Sequence, residues 1–212
     1  MCYQTKLTKA ASEVEHRFNA KIENLNLFEP SEEISAFTFP KTPVITHLRQ
    51  NNIEFFNWGL IPSWAKDTSI KKYTLNARIE TIGQKPSFKE NIHNRCLIIV
   101  NGFYEWQWLD DKGRKKQKYE IGLEGDALFA FAGLWSEWQD KKTYTIVTTE
   151  AQGIMKEIHN SKKRMPVILH EKNEKHWLSN ASVDEFYQVD LPLVAKKIPP
   201  DDSKESQFNL FH

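Results

Sequence analysis

Arg95-Cys96-Leu97-Ile98-Ile99-Val100-Asn101-Gly102-Phe103-Tyr104-Glu105-Trp106-Gln107-Trp108 is the stretch on which the fold turns. Its β-branched and aromatic side chains predict a strand over about 96–109, with Cys96 as a small core hydrophobe. Asp110-Asp111-Lys112-Gly113 then turns the chain into a second strand at 115–123. Glu124-Gly125-Asp126 leads to a third at 127–136, and Gln139-Asp140-Lys141 to a fourth from Thr143 to Thr149. The reading is an antiparallel meander. Downstream, 151–159 reads as a helix, Arg164–Leu169 as a short strand and 171–180 as a helix carrying Trp177. Upstream, Tyr73–Ile79 alternates, with Tyr73, Leu75, Ala77 and Ile79 inward and Thr74, Asn76 and Arg78 outward. Ile53–Trp58 reads as a strand followed by the loop Gly59-Leu60-Ile61-Pro62-Ser63-Trp64, and Pro40 and Pro43 make 37–49 extended. Leu7, Ala11, Val14 and Phe18 at helical spacing predict an amphipathic helix over 7–20. The class that follows is α+β, one domain on a largely antiparallel sheet spanning 2–198, with a polar tail over 199–212 expected to fray.

The 212 residues suffice for a substantial core without metals or disulfides. A mean hydropathy of −0.60 and the lack of a long apolar run give no transmembrane span. The opening Met1-Cys2-Tyr3-Gln4-Thr5-Lys6 shows no secretory signal, so a cytoplasmic protein is expected. Cys2 and Cys96 have no metal or disulfide spacing, and neither metal nor cofactor is expected. The formal charge is +1, yet between Trp64 and Arg95 seven basic residues (Lys66, Lys71, Lys72, Arg78, Lys85, Lys89, Arg95) face three acidic ones. Such a stripe fits a short polyanion site, or simply a solvated face. The run Lys112–Lys118, with five basic residues in seven, surrounds a turn and reads as a solubilising tip.

Several residues carry chemistry. Loss of Met1 would leave Cys2 with a free α-amine, titrating near 7.7–8.0, beside its own thiol. Such a 1,2-aminothiol forms an imine with an aldehyde and then closes a thiazolidine. An incidental second-position cysteine is the plain alternative. Asn76 and Arg78 present an amide and a guanidinium from one strand face, suited to holding a small polar group and a phosphate, unless that face is merely solvated. Glu105 among aromatic neighbours is either ion-paired, with Arg78 or Arg95, or desolvated towards the range of a general acid. His159 near a helix C-terminus is a candidate proton shuttle or a helix-terminal histidine with no catalytic part. Trp58 reads as core, and Trp64 in the loop as a base-stacking platform.

Taken in order, Met1-Cys2, Trp58…Trp64, Asn76-Ala77-Arg78-Ile79-Glu80-Thr81, Arg95-Cys96-Leu97, Gly102-Phe103-Tyr104-Glu105-Trp106, Phe131-Ala132-Gly133-Leu134-Trp135 and Arg164-Met165-Pro166-Val167-Ile168-Leu169 resemble the SOS response-associated peptidase (SRAP) family. The resemblance implies a compact, barrel-like β-rich core with short flanking helices and a positively charged cleft. It implies a DNA-damage activity, shielding abasic sites in single-stranded DNA by attachment through Cys2, with lyase and Met1-removing activities as further expectations. Asn76, Glu105 and His159 would surround Cys2, with Arg78, Trp64 and Arg164 towards the DNA. The implied partner is abasic single-stranded DNA, met by a monomer that joins the nucleoid when bound. A thiol peptidase using Cys2 and His159, or a non-covalent single-strand binder, are the alternatives. The chain departs from the family's usual run at Tyr3-Gln4, in place of Gly-Arg. It departs again at Phe37-Thr38-Phe39-Pro40, in place of Asn-Val-Ala-Pro. Four residues rather than one separate His159 from Arg164.

Overall fold

Arg95–Trp108 forms two strands that belong to different sheets. The computed structural model describes residues 2–188 and 191–199. Apart from Pro199, the tail expected over 199–212 lies outside them. In chain order the elements are β1 (Gln4–Leu7), α1 (Ala11–Phe18), β2 (Lys21–Ile22), β3 (Ser31–Ser35), β4 (Lys41–Thr46), β5 (Arg49–Trp58), β6 (Asn76–Arg78) and α2 (Pro86–Lys89). They continue with β7 (Arg95–Val100), β8 (Gly102–Trp108), β9 (Lys116–Gly122), β10 (Phe129–Trp138) and β11 (Lys141–Glu150). The remainder are α3 (Met155–Ile158), β12 (Arg164–Pro166), β13 (Ile168–Leu169), α4 (Glu171–Leu178) and β14 (Val194–Ile198).

One sheet runs β14-β9-β8-β1-β3. In the other, β11, β10, β7, β4 and β5 pair in succession, and β5 returns to β11 in parallel at Thr143↔Asn57 and Tyr144↔Trp58. These five strands therefore close a barrel. This agrees with the α+β class and the barrel-like core. The closure explains why β7 is an unbroken apolar run: both its faces are covered. Cys96, Ile98 and Val100 join one core with Phe103, Phe129 and Phe131, while Leu97 and Ile99 join a second with Leu7, Val14 and Trp177. The chain crosses between sheets at Asn101. Its Oδ1 accepts from Thr8 N–H (2.9 Å), and its Nδ2 donates to Thr8 Oγ1 and Asp126 Oδ1 (both 2.9 Å).

Four sequence readings change. The meander is interrupted: β9 pairs with β8, and β10 pairs with β7, because β10 is apolar on both faces and β9 is not. The helix predicted over 7–20 shrinks to α1, since Leu7 is in β1, whose strand pairs on both sides. Tyr73 does not point inward; it is 75% exposed on a 3-10 turn, and only Asn76–Arg78 is strand. The helix at 151–159 is reduced to α3, with Gly153 at a φ of +50° just before it. Among the described residues no helix is long and apolar enough to cross a membrane, and no group of side chains could hold a metal ion.

Candidate active site

Cys2 stands two residues before β1, with Tyr3 between, and β1 is an interior strand between β3 and β8. The Cys2 side chain is fully buried, and its thiol donates to Gln4 O at 3.7 Å. Burial pushes the thiol pKa well up, and the Glu105 carboxylate pushes it further. The Asn76 amide, brought by β6 as it pairs in parallel with β11, donates from Nδ2 to Cys2 O at 2.8 Å. The Asn76 Oδ1 is buried and has no hydrogen-bond partner among the described residues. The amide therefore fixes the residue that carries the thiol and keeps one acceptor for an incoming group.

Glu105 enters from β8. Gln4 pairs with Tyr104, so the next step of the register sets Glu105 beside Tyr3 and Cys2. It is 4% exposed, and burial pushes its carboxyl up to about 7 against the pull of the chain's amino terminus. His159, just past α3, brings Nε2 to 3.7 Å from Glu105 Oε2, in electrostatic contact without a hydrogen bond. Burial lowers its pKa to about 4, helped by the positive charge of the amino terminus, Arg164 and Lys162. Its Nδ1 lies 2.5 Å from Arg164 O and 3.2 Å from Arg164 N; the shorter contact favours the tautomer with the proton on Nδ1 and the Nε2 lone pair facing Glu105. Between pH 4 and 7 the pair thus holds its proton on the carboxyl and keeps the imidazole neutral.

The four residues separating His159 from Arg164 do not carry the imidazole away. Lys163, at a φ of +50°, donates its N–H to His159 O (2.8 Å), so the extra residues close into a loop. Asn160 locks that loop to the end of β8, with Oδ1 accepting from Trp108 N–H (3.0 Å) and Nδ2 donating to Trp108 O (2.9 Å).

The residues expected towards DNA divide. Arg78 ends β6 exposed, and Trp64 is 49% exposed in its loop, while Trp58 is core with Nε1 donating to Leu75 O. Arg164 is committed: its guanidinium makes two bonds to Glu80 (2.7 and 3.0 Å) and one to Thr148 O (2.7 Å). Burial works against ionisation of Glu80, but the Arg164 bonds hold its carboxyl below the usual range. Arg95 leaves the basic stripe altogether, being buried with NH1 donating to Trp177 O and its guanidinium over the Trp177 ring. Sequence reasoning missed Glu80. Its place two residues after Arg78 was visible, but the link to Arg164 forms only through β11.

Residues 1–199 match the model of the family described as SOS response associated peptidase (SRAP). The chain belongs to the SRAP family. Among SRAP relatives, the abasic site processing protein YoaM of Bacillus subtilis (strain 168) is 43% identical over 160 residues, covering 72% of this chain and 68% of that protein. The abasic site processing protein HMCES of Gallus gallus is 34% identical over 172 residues, which span 66% of this chain and only 49% of that protein. The crystal structure of a protein from Bacteroides thetaiotaomicron superposes with a TM-score of 0.85 at 31% identity, covering 96% of this chain and 94% of that one.

Proposed function

We propose that this SRAP protein, as a monomer, captures abasic sites in single-stranded DNA through Cys2 and shields them as a covalent adduct. The observation that carries the reading is the convergence on Cys2 of an amide that grips its carbonyl and a carboxyl protonated near neutral pH. The relatives' names point to the abasic site, and the exposed Trp64 supports an unpaired strand.

The reaction begins with hydrolytic loss of Met1, which frees the Cys2 amine beside its own thiol. The amine adds to the C1′ aldehyde of the open sugar. His159, neutral at Nε2, carries a proton from nitrogen to oxygen as the carbinolamine forms. Glu105 donates its proton to the departing hydroxyl, so water leaves and an iminium remains. The Cys2 sulfur then attacks the iminium carbon, and the ionised Glu105 takes the thiol proton. The product is a neutral thiazolidine with Glu105 restored; one water is lost overall and nothing is oxidised. Asn76 Oδ1 accepts from the attacking amine, Arg78 meets a flanking phosphate, and Trp64 stacks on a base. A thiol peptidase is less well served, because burial keeps the Cys2 sulfur protonated where a peptidase needs a thiolate.

Intact mass spectrometry of the untagged protein mixed with an abasic oligonucleotide tests this. The expected species has the summed mass less one water and persists without reductant; protein retaining Met1 gives none, and Cys2→Ala, which keeps the amine but not the thiol, gives none that persists. Cys2→Ser should give only an imine, trapped by borohydride and lost without it. An adduct on chains that keep Met1 would overturn the mechanism.

A further inference from the structure

An aromatic step stands directly beside Cys2, outside the chemistry described above. The 3-10 turn Ala36–Thr38 is tied to the N-terminal segment by Ala36 N–H donating to Tyr3 O at 2.8 Å. This lays the Phe37 ring on the Tyr3 ring, with centroids 5.1 Å apart and planes at 30°. Tyr3 follows Cys2 in the chain, and the Glu105 charge contributes, after burial, to raising its phenol pKa, so the supporting ring borders the site. Phe37 itself remains 63% exposed. The turn ends at Phe39 with a φ of +52°, and Asn57 Nδ2 holds the Phe39 carbonyl at 3.0 Å. Lys71 Nζ sits 4.0 Å from the centre of the Phe39 ring, with Lys72 exposed next to it. Both Tyr3 and Phe37 fall where this chain departs from the family's usual run.

We propose that the Tyr3–Phe37 step is a stacking site for the nucleobase that flanks the abasic nucleotide. The proposal rests on the capture reading for one point only, that the abasic sugar lies at Cys2. A large, flat, exposed ring backed by a second ring and set next to the residue that would hold the sugar matches the face of a neighbouring nucleobase. Purines, having the larger face, stack better than pyrimidines on this step.

The test uses untagged protein and single strands whose abasic sugar has been reduced, so that no aldehyde is present and only non-covalent binding is read. The neighbouring position, on either side in separate strands, is adenine or a second reduced abasic sugar. Wild type should bind the adenine-flanked strand about tenfold more tightly on one side. Phe37→Ala, exposed enough to fold normally, should abolish that difference, and Phe37→Trp should preserve it. A base preference that survives Phe37→Ala, or a wild type with no preference on either side, overturns the proposal; the second result would leave Phe37 to a protein partner. Mass spectrometry with the unreduced strand separates the two readings. Adduct without base preference removes the stacking site alone, and base preference without adduct removes the capture chemistry alone.

Discussion

Glu105 and His159 titrate on opposite sides of their usual values, and this orders the pH behaviour of the site. Capture as proposed needs Glu105 protonated, which fails above about 7, and the Cys2 amine neutral, which fails well below 7.7–8.0. Initial rates of adduct formation should therefore pass through a maximum between about 7 and 8. Glu105→Gln should remove the alkaline fall and slow the reaction about 10²-fold; an alkaline fall retained in that variant would assign the proton elsewhere. Stability follows the same shifts. Glu105 has its pKa raised in the fold, so the cost of ionising it is absent below 4.5 and complete above about 7. His159 has its pKa lowered, so stability is lost as pH falls from 6.5 towards 4. Thermal melts should thus show Glu105→Gln gaining more over wild type at pH 8 than at pH 5. Glu105 was legible in the sequence because aromatic neighbours announce a desolvated carboxyl. Its pairing with His159 was not, because a looped-out Asn160–Lys163 hides the distance between His159 and Arg164.

The strands were legible where apolar residues alternate or run unbroken, as in Arg95–Val100 and Phe129–Trp138. Which edges meet was not, since alternation describes faces and says nothing of neighbours. β1 escaped notice for a different reason. Its Lys6 is buried, and the carboxylates that neutralise it, Glu120 at 2.7 Å and Asp126 at 3.3 Å, lie far along the chain. The pairing of β10 with β7 also sets a packing limit. A Cβ on Gly133 would fall 2.8 Å from Cys96 Sγ and 3.1 Å from Thr145 O, and against Ile98 Cδ1. Gly133→Ala should cost about 1–3 kcal/mol in denaturant unfolding, since the barrel wall must move to admit a methyl group. A loss below about 0.5 kcal/mol would mean that β7 and β10 yield more easily than their burial implies.

The whole molecule carries a formal charge of +1, so attraction to DNA is local. Arg95 of the stripe and Arg164 beyond it are engaged internally, which leaves Lys66, Lys72, Arg78, Lys85 and Lys89 as the exposed cations of the stripe. Binding of single strands should then fall with salt with a logarithmic slope of about −2, for roughly three phosphate contacts. Lys72→Ala should reduce that slope by about 0.7, and an unchanged slope would remove Lys72 from the interface. The position of β1 has a mechanical consequence. A DNA strand joined to Cys2 would hang from the root of a stave wedged between β3 and β8. A translocating motor hauling on that strand would load β1 along its length, so both rows of backbone hydrogen bonds would resist together rather than open one by one. The joint would give way slowly under tension.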